Sequence, residues 1–337
     1  MLITPQKKRL GKLTRLGGAG MMEDMEKTFS KLQKNILATV VYYDGFAYPL
    51  TAFEIWKYLL KTDQATASIP VGLALIVKEL QSEFLLKYLE SKNGFYFLKG
   101  RGELFERRIE NQKISAGKLK RLRWVVRWLS LVPFVRMIGA TGGLAMKNAN
   151  QKSDWDLLVV LADGHIWMGR TLITVWAHLL GKRRHQEKIR DRVCLNYFIT
   201  EQSLEVMTKD LFSANEYFFL LPLFGWEVYH RFQIKNQWIK NLKPNYDLQE
   251  IQPVKILADT FWTKAIRMTG EFFLQSAWLE NWLKKIEKAK IAQNPKTHQE
   301  GSLVYAQDDA LVFLPVPHGP VIFEKFKAKL EELGIER

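Results

Sequence analysis

Along most of this chain the apolar positions recur at three- and four-residue spacing, the pattern of helices that bury one stripe. It predicts helices over 26–43, from Thr51 to about Leu60 and over 71–81, and Thr51 with Glu54 has the spacing of a capping box at the start of the second. Between Phe84 and Lys99 the pattern changes to two aromatic runs split by Asn93-Gly94, which reads as a hairpin turn. A long basic helix is expected over 103–132, stopping before Pro133, with Phe134 to Met137 as a short approach to a glycine pair. The run from Asp154 to Val160 and the run from Arg192 to Ile199 read as strands, and His165 to Leu180 as the helix between them, ended by Gly181. Beyond Leu204 the pattern is mainly helical, with helices expected over 211–221, 226–241, about 257–267 and 272–292. Residues 302–314 alternate as a strand or hairpin with Asp308-Asp309 at its turn, and a last amphipathic helix covers 321–333.

Composition narrows the classes. A chain of 337 residues, 47% hydrophobic, is long enough for two or three domains with real cores. The single cysteine, Cys194, excludes an internal disulfide and a cysteine-cluster metal site, and its apolar strand makes it a buried small hydrophobe. The six histidines lack ligand spacing, so zinc is not expected. Apolar runs are short or broken by Arg127 and Arg136, so no membrane span and no membrane partner are expected, and the chain reads as cytoplasmic. The N-terminal residues carry Lys7, Lys8, Arg9, Lys12 and Arg15 without the apolar core of a signal peptide; they read as a flexible basic tail, and Met21, Met22 and Met25 point to a later start. The net charge of +15 is uneven. Residues 98–136 hold eleven bases against Glu103, Glu106 and Glu110, and a second basic cluster runs through Lys182, Arg183, Arg184, Lys188, Arg190 and Arg192. Such patches suit phosphate-rich partners, with Lys118, Lys120, Arg121 and Arg123 the candidates for weak, non-specific nucleic-acid binding; a solvated helix face is the alternative.

Chemistry concentrates in one stretch. Gly142-Gly143 precedes Ser153-Asp154-Trp155-Asp156 by about ten residues. Carboxylates two apart on a strand share a face, with Trp155 on the other, and such a pair suits a divalent cation. Glycines let backbone N–H groups approach a phosphate closely. This order of small-residue pair, short helix and Ser-Asp-x-Asp strand resembles the DNA polymerase beta-like nucleotidyltransferase superfamily, centred on residues 138 to 160. The resemblance implies that Gly142 and Gly143 bind NTP phosphates, joined by Ser153, Lys147 and Lys152, and that Asp154 and Asp156 are catalytic and hold Mg²⁺ or Mn²⁺. A third carboxylate is expected on a later strand, and Asn196 occupies the central inward position of the candidate strand; Glu216, Asp191, Glu201 and Glu205 are the acids close enough in sequence to replace it.

The order helix, helix, helix, hairpin resembles a winged helix, although its third helix offers only Lys78 as a base, which favours scaffolding over reading DNA. A weaker likeness, carried by Gly225-Trp226-Glu227-Val228-Tyr229, Phe232, Asn236-Gln237-Trp238-Ile239 and Pro244-Asn245, extends from about Lys34 to the C-terminal region; it resembles bacterial nucleotidyltransferase-domain proteins of unassigned function. The expected fold is α+β. It comprises a basic tail (1–25), a winged-helix-like module (26–102), a connecting helix (103–132), a nucleotidyltransferase α/β domain with a small mixed sheet (133–203) and a mainly helical C-terminal domain (204–337). The resemblance implies an enzyme moving a nucleoside monophosphate from an NTP to a hydroxyl acceptor on RNA, a protein or a small molecule. Two alternatives stand beside it: a non-catalytic nucleotide-sensing or partner-binding regulator with a degenerate domain, and an antitoxin-like transferase.

Overall fold

Ser30 begins the first helix with a reciprocal cap, its hydroxyl accepting from Gln33 N while the Gln33 side chain accepts from Ser30 N, and α1 then spans Lys31–Asp44. The structure is a computed structural model that describes residues 30–62, 71–185, 187–246 and 256–335. The expected basic tail lies outside them. After α1 come β1 (Leu50–Thr51), α2 (Ala52–Lys57), α3 (Leu73–Leu80), α4 (Glu83–Leu86) and the hairpin β2 (Leu89–Lys92) and β3 (Phe95–Leu98). The Thr51/Glu54 capping box opens α2 as expected, and Asn93 and Gly94 turn the hairpin with φ of +50° and +80°. These strands form a small antiparallel sheet in the order β1-β3-β2.

The long helix α5 (Leu104–Leu129) leads into β4 (Val135–Ala140), the one-turn α6 (Gly142–Ala145), β5 (Trp155–Leu161), α7 (Ile166–Leu179) and β6 (Val193–Thr200). Next are α8 (Leu211–Phe218), β7 (Leu221–Phe224), α9 (Trp226–Lys235) and a 3₁₀ turn at Gln237–Asn241. The chain continues through α10 (Phe261–Leu274), α11 (Ala277–Gln293), β8 (Leu303–Ala306), β9 (Ala310–Leu314) and α12 (His318–Glu332). Among the described residues the fold is thus mixed, with helices, a small sheet and a six-stranded mixed sheet ordered β7-β4-β5-β6-β9-β8. β5 pairs antiparallel with β4 and parallel with β6; the parallel pair needs the α7 crossover.

Several expectations shift for physical reasons. The segment expected as a helix to residue 221 ends at Phe218, and Leu221–Phe224 form an edge strand on β4, where Pro222 needs no outward ladder donor. The helix expected over 226–241 breaks at Asn236, which is buried, accepts from Val206 N through its side-chain oxygen and donates to Leu204 O. The 302–314 hairpin pairs through β9 with β6, so the main sheet draws strands from both sides of residue 203. Likewise Phe326 and Leu330 of α12 share one core with Ile36, Tyr42, Tyr43 and Leu50 of the N-terminal elements.

The main sheet is covered on both faces. Trp155, Leu157, Val159 and Leu161 pack with α5 and α7, which settles Trp155 as fully buried core. Met137, Leu158, Val160 and Ile199 pack on the other side with α8 and α9. Asp156, two residues before Leu158, therefore faces the α8 side. Among the described residues no helix is long and apolar enough to cross a membrane.

One backbone site fixes how β7 returns to the sheet. Gly225 has φ +81°, and a Cβ there would stand 2.1 Å from Arg136 O in β4. Gly225→Ala is expected to cost at least about 3 kcal/mol, because neither the backbone oxygen nor the left-handed φ can yield cheaply. A chemical denaturation midpoint within error of wild type refutes that close approach.

Candidate functional site

The turn after β4 carries the site. Thr141 N donates to Asp156 O at 3.0 Å, closing the β4–β5 pair directly beneath the glycine pair. Gly142 follows with φ +62°, and a Cβ on it would lie 2.8 Å from Asp156 Oδ2. Only a glycine lets the backbone turn here while the carboxylate occupies that space. Gly143 is exposed, and a Cβ there would meet ordinary contacts, so the steric need rests on Gly142 alone.

The loop behind the turn is held from two directions. Tyr48 donates to Met146 O, Asn148 Nδ2 to Phe46 O, Asn111 Nδ2 to Asn148 Oδ1, and Ala149 N to Ser115 Oγ, at 2.9 to 3.0 Å. The N-terminal elements and α5 together fix the path of residues 146–149. Ser153 spends its side chain locally, its Oγ accepting from Asn150 N at 3.0 Å, and Lys147 and Lys152 are both exposed.

Asp154, Asp156 and Cys194 each place a ligand atom within 4.8 Å of the others. The register pairs Asp156 with Cys194 and then, past an irregular step, Leu158 with Tyr197. That bulge corrects two expectations. Cys194, not Asn196, stands opposite Asp156, and the cysteine lies among carboxylates instead of in the apolar core. Asn196 falls in the extra-residue step, where strand alternation no longer predicts a side chain's face.

Of the other candidate acids, Asp191 receives Lys118 and Arg121, Glu201 pairs with Arg136 and Arg231, and Glu205 with Lys209. Glu216 on α8 is the one whose charge bears on Asp156, and the Thr141 hydroxyl donates to it. Burial holds the Glu216 carboxyl above its ordinary range despite that hydrogen bond.

Burial, then the charges of Asp154 and Glu216, push Asp156 up to about 7. The Cys194 thiol rises to about 12 through burial and the same two aspartates, so it is neutral and unreactive at physiological pH. Arg184 offsets part of this negative charge, with Nη1 2.6 Å from Asp154 Oδ2 and 3.5 Å from Cys194 Sγ. The sequence marked Arg184 only as part of a basic run; nothing in its spacing reveals this pairing.

The donor set suits a hard cation. Two carboxylates on one face, one held up to about 7 by burial and then by its neighbours' charges, are oxygen donors of the kind that could hold Mg²⁺ or Mn²⁺. The neutral thiol is a poor ligand for either cation. Comparison with known protein families, with curated proteins and with solved structures finds no match.

The nucleic-acid candidates divide. Lys118 is 1% exposed and donates to Gln151 O, Ser153 O and Asp191 Oδ1, so it anchors the approach to Asp154 and is withdrawn from any outer surface. Arg121 also engages Asp191, which sits below the ordinary carboxylate range: burial raises it, but the hydrogen bond and charge of Lys118, then Arg121, outweigh that. Lys120 is exposed, and Arg123 is half-buried.

Two outcomes follow. Burial and its neighbours push the folded Asp156 up to about 7 against an ordinary 3.8, so its own contribution to metal-free stability is full at acid pH and is lost as pH rises through about 7. Asp156→Asn removes that penalty and should raise the metal-free melting temperature at alkaline pH by about 3 °C or more, the gain shrinking on acidification. A gain that is independent of pH, or a loss at alkaline pH, refutes the charge crowding. Lys118→Met should destabilise by about 2 kcal/mol, because it removes the buried donor from two carbonyls and leaves half-buried Asp191 to Arg121 and Arg190, while Lys120→Ala leaves stability within about 0.5 kcal/mol. Equal denaturation midpoints for the two variants contradict the anchoring role.

Proposed function

We propose that this protein is a nucleotidyltransferase that moves a nucleoside monophosphate from an NTP to a hydroxyl acceptor. One observation carries the reading: two same-face carboxylates lie beneath a glycine turn that a side chain would block, with a buried third acid, Glu216, in electrostatic reach. Asp154 and Asp156 are the residues that would hold Mg²⁺, which when bound offsets phosphate charge and polarises the reacting phosphoryl group. The backbone at half-buried Gly142 and exposed Gly143 offers its amides to the outer phosphates, with Lys147 and Lys152 on the same loop as countercharge. In the transfer, the acceptor oxygen bonds to the α-phosphorus as the bond to the pyrophosphate oxygen breaks. Glu216 is assigned to take the acceptor proton.

The elements from α1 to β3 are read as a winged-helix-like module serving as scaffold. Its third helix exposes Leu73, Leu75 and Val77, which cannot donate to phosphates, while Tyr48 and the Phe46 carbonyl brace the loop behind the glycine turn. The acceptor is RNA, a protein or a small molecule. A second reading, a nucleotide sensor without turnover, draws on the neutral Cys194 opposite Asp156 and on Arg184 already paired with Asp154.

Calorimetric titration with a non-hydrolysable NTP should show Mg²⁺-dependent binding that tightens as pH rises through about 7, since the cation needs Asp156 ionised. Asp156→Asn should abolish the metal-dependent part. Equal, metal-independent affinity in both proteins removes the nucleotidyltransferase assignment. Incubation with each labelled NTP, Mg²⁺ or Mn²⁺ and cell extract then separates transfer from sensing: labelled product sensitive to RNase or to protease identifies the acceptor class, and binding without product supports the sensor.

A further inference from the structure

α10 and α11 dock through Leu274, Leu279, Leu283 and Ile291, yet they carry large apolar side chains on the outer side as well. The acidic residues of both helices turn inward. Glu271 accepts from Phe134 N and Arg136, Glu280 accepts from Trp167 N and Met168 N at the start of α7, and Glu287 pairs with Arg170. Arg267, 6% exposed, also points inward and donates to Ser130 O. The outer side is aromatic: Phe261 is 77% exposed, Trp262 74%, Phe272 68%, Phe273 76%, Trp278 72% and Trp282 48%. These rings contact one another in pairs, Phe261 with Trp262, Phe272 with Phe273, and Trp278 with Trp282.

Single exposed apolar side chains are common, but six large aromatic rings confined to two successive helices mark a surface that leaves water for a partner. The charge beside them selects that partner. Lys264, Lys285 and Lys290 are exposed on the same helices, and every acid of the pair is engaged by the body of the protein. Aromatic rings with a lysine rim and no free carboxylate complement a bilayer interface bearing anionic headgroups, where tryptophan and phenylalanine seat at the boundary and lysine reaches the phosphates. A second copy is a poorer occupant, because two chains of net charge +15 repel.

We propose that α10 and α11 form a peripheral membrane-binding surface for an anionic lipid bilayer. The aromatic rings enter the headgroup region without crossing it, and the exposed lysines steer the approach. This replaces the expectation of no membrane partner, which rested on the lack of a spanning segment, and it is independent of the nucleotide reading.

The test uses the full chain with sedimented phosphatidylcholine vesicles, with and without phosphatidylglycerol. Wild type should bind the phosphatidylglycerol vesicles, and brominated lipid should quench its tryptophan fluorescence. The variant Trp262→Ser, Phe272→Ser, Phe273→Ser should lose about tenfold or more in vesicle affinity, since interfacial binding scales with apolar area buried. Those positions are exposed, so a far-ultraviolet circular dichroism spectrum matching wild type confirms the fold. As a second variant, Trp278→Ser, Trp282→Ser should show weaker bromine quenching. Three results each overturn the proposal: no binding to phosphatidylglycerol vesicles, binding that the aromatic variants retain in full, or concentration-dependent self-association that the variants abolish without any vesicle binding.

Discussion

The carboxylate of Asp156 lies where a side chain on Gly142 would have to be, and the site is built around that exclusion. For the two to meet, β4 must run antiparallel to β5 and end one residue before the turn, which the Thr141 N to Asp156 O bond enforces. The loop that follows must then clear the carboxylate. Its path is set by Tyr48 and Phe46 from the N-terminal elements and by Asn111 and Ser115 from α5. The N-terminal elements and the long helix, separate in sequence from the acidic pair, thus act on it through backbone positions. A buried carboxylate beside two others is also unfavourable for the fold, and Arg184, paired with Asp154, offsets part of that charge.

Elements with strong local signals were legible in the chain. The Thr51/Glu54 cap, the Asn93-Gly94 turn, the Gly181 stop and the Asp154 strand depend on neighbours a few residues away, and each stands where its pattern puts it. What the sequence hid depends on distant partners. The bulge opposite Leu157 comes from pairing across β5 and β6, so parity along β6 alone selected Asn196 where the register supplies Cys194. The strand role of Leu221–Phe224, and the place of the expected 302–314 hairpin within the main sheet, likewise exist only because β4 and β6 leave edges for them. Glu216 was visible as an acid early in a helix. Its nearness to Asp156 follows from α8 packing on the same sheet face.

Charge was the least legible property, because composition counts bases without saying which are buried. Arg108 stacks over Tyr48 and pairs with Glu54, and Lys118 holds the turn before Asp154. Lys243 is fully buried among Tyr43, Tyr58 and Phe218, and burial lowers it to about 7. Its amine donates to Tyr43 Oη and Asn215 Oδ1. Asn215 immediately precedes Glu216, so this lysine ties α1 to the segment that carries the third acid. A basic helix and a basic chain therefore do not by themselves mark a nucleic-acid surface; Arg108, Lys118 and Lys243 are engaged in joining elements.

The same accounting explains why the aromatic face of α10 and α11 is available. Amphipathic helices ordinarily dock by their apolar stripe, and here Leu274, Leu279, Leu283 and Ile291 do so, but carboxylates join them on the inner side, reaching β4 through Arg136 and the first amides of α7 through Glu280. Unpaired N–H groups at a helix start favour an anion, and the Trp167 and Met168 amides offset part of the burial that raises the Glu280 carboxyl. With the acids committed inward, the opposite side of each helix is left to aromatic rings. α7 is also the crossover between β5, which carries Asp156, and β6, which carries Cys194.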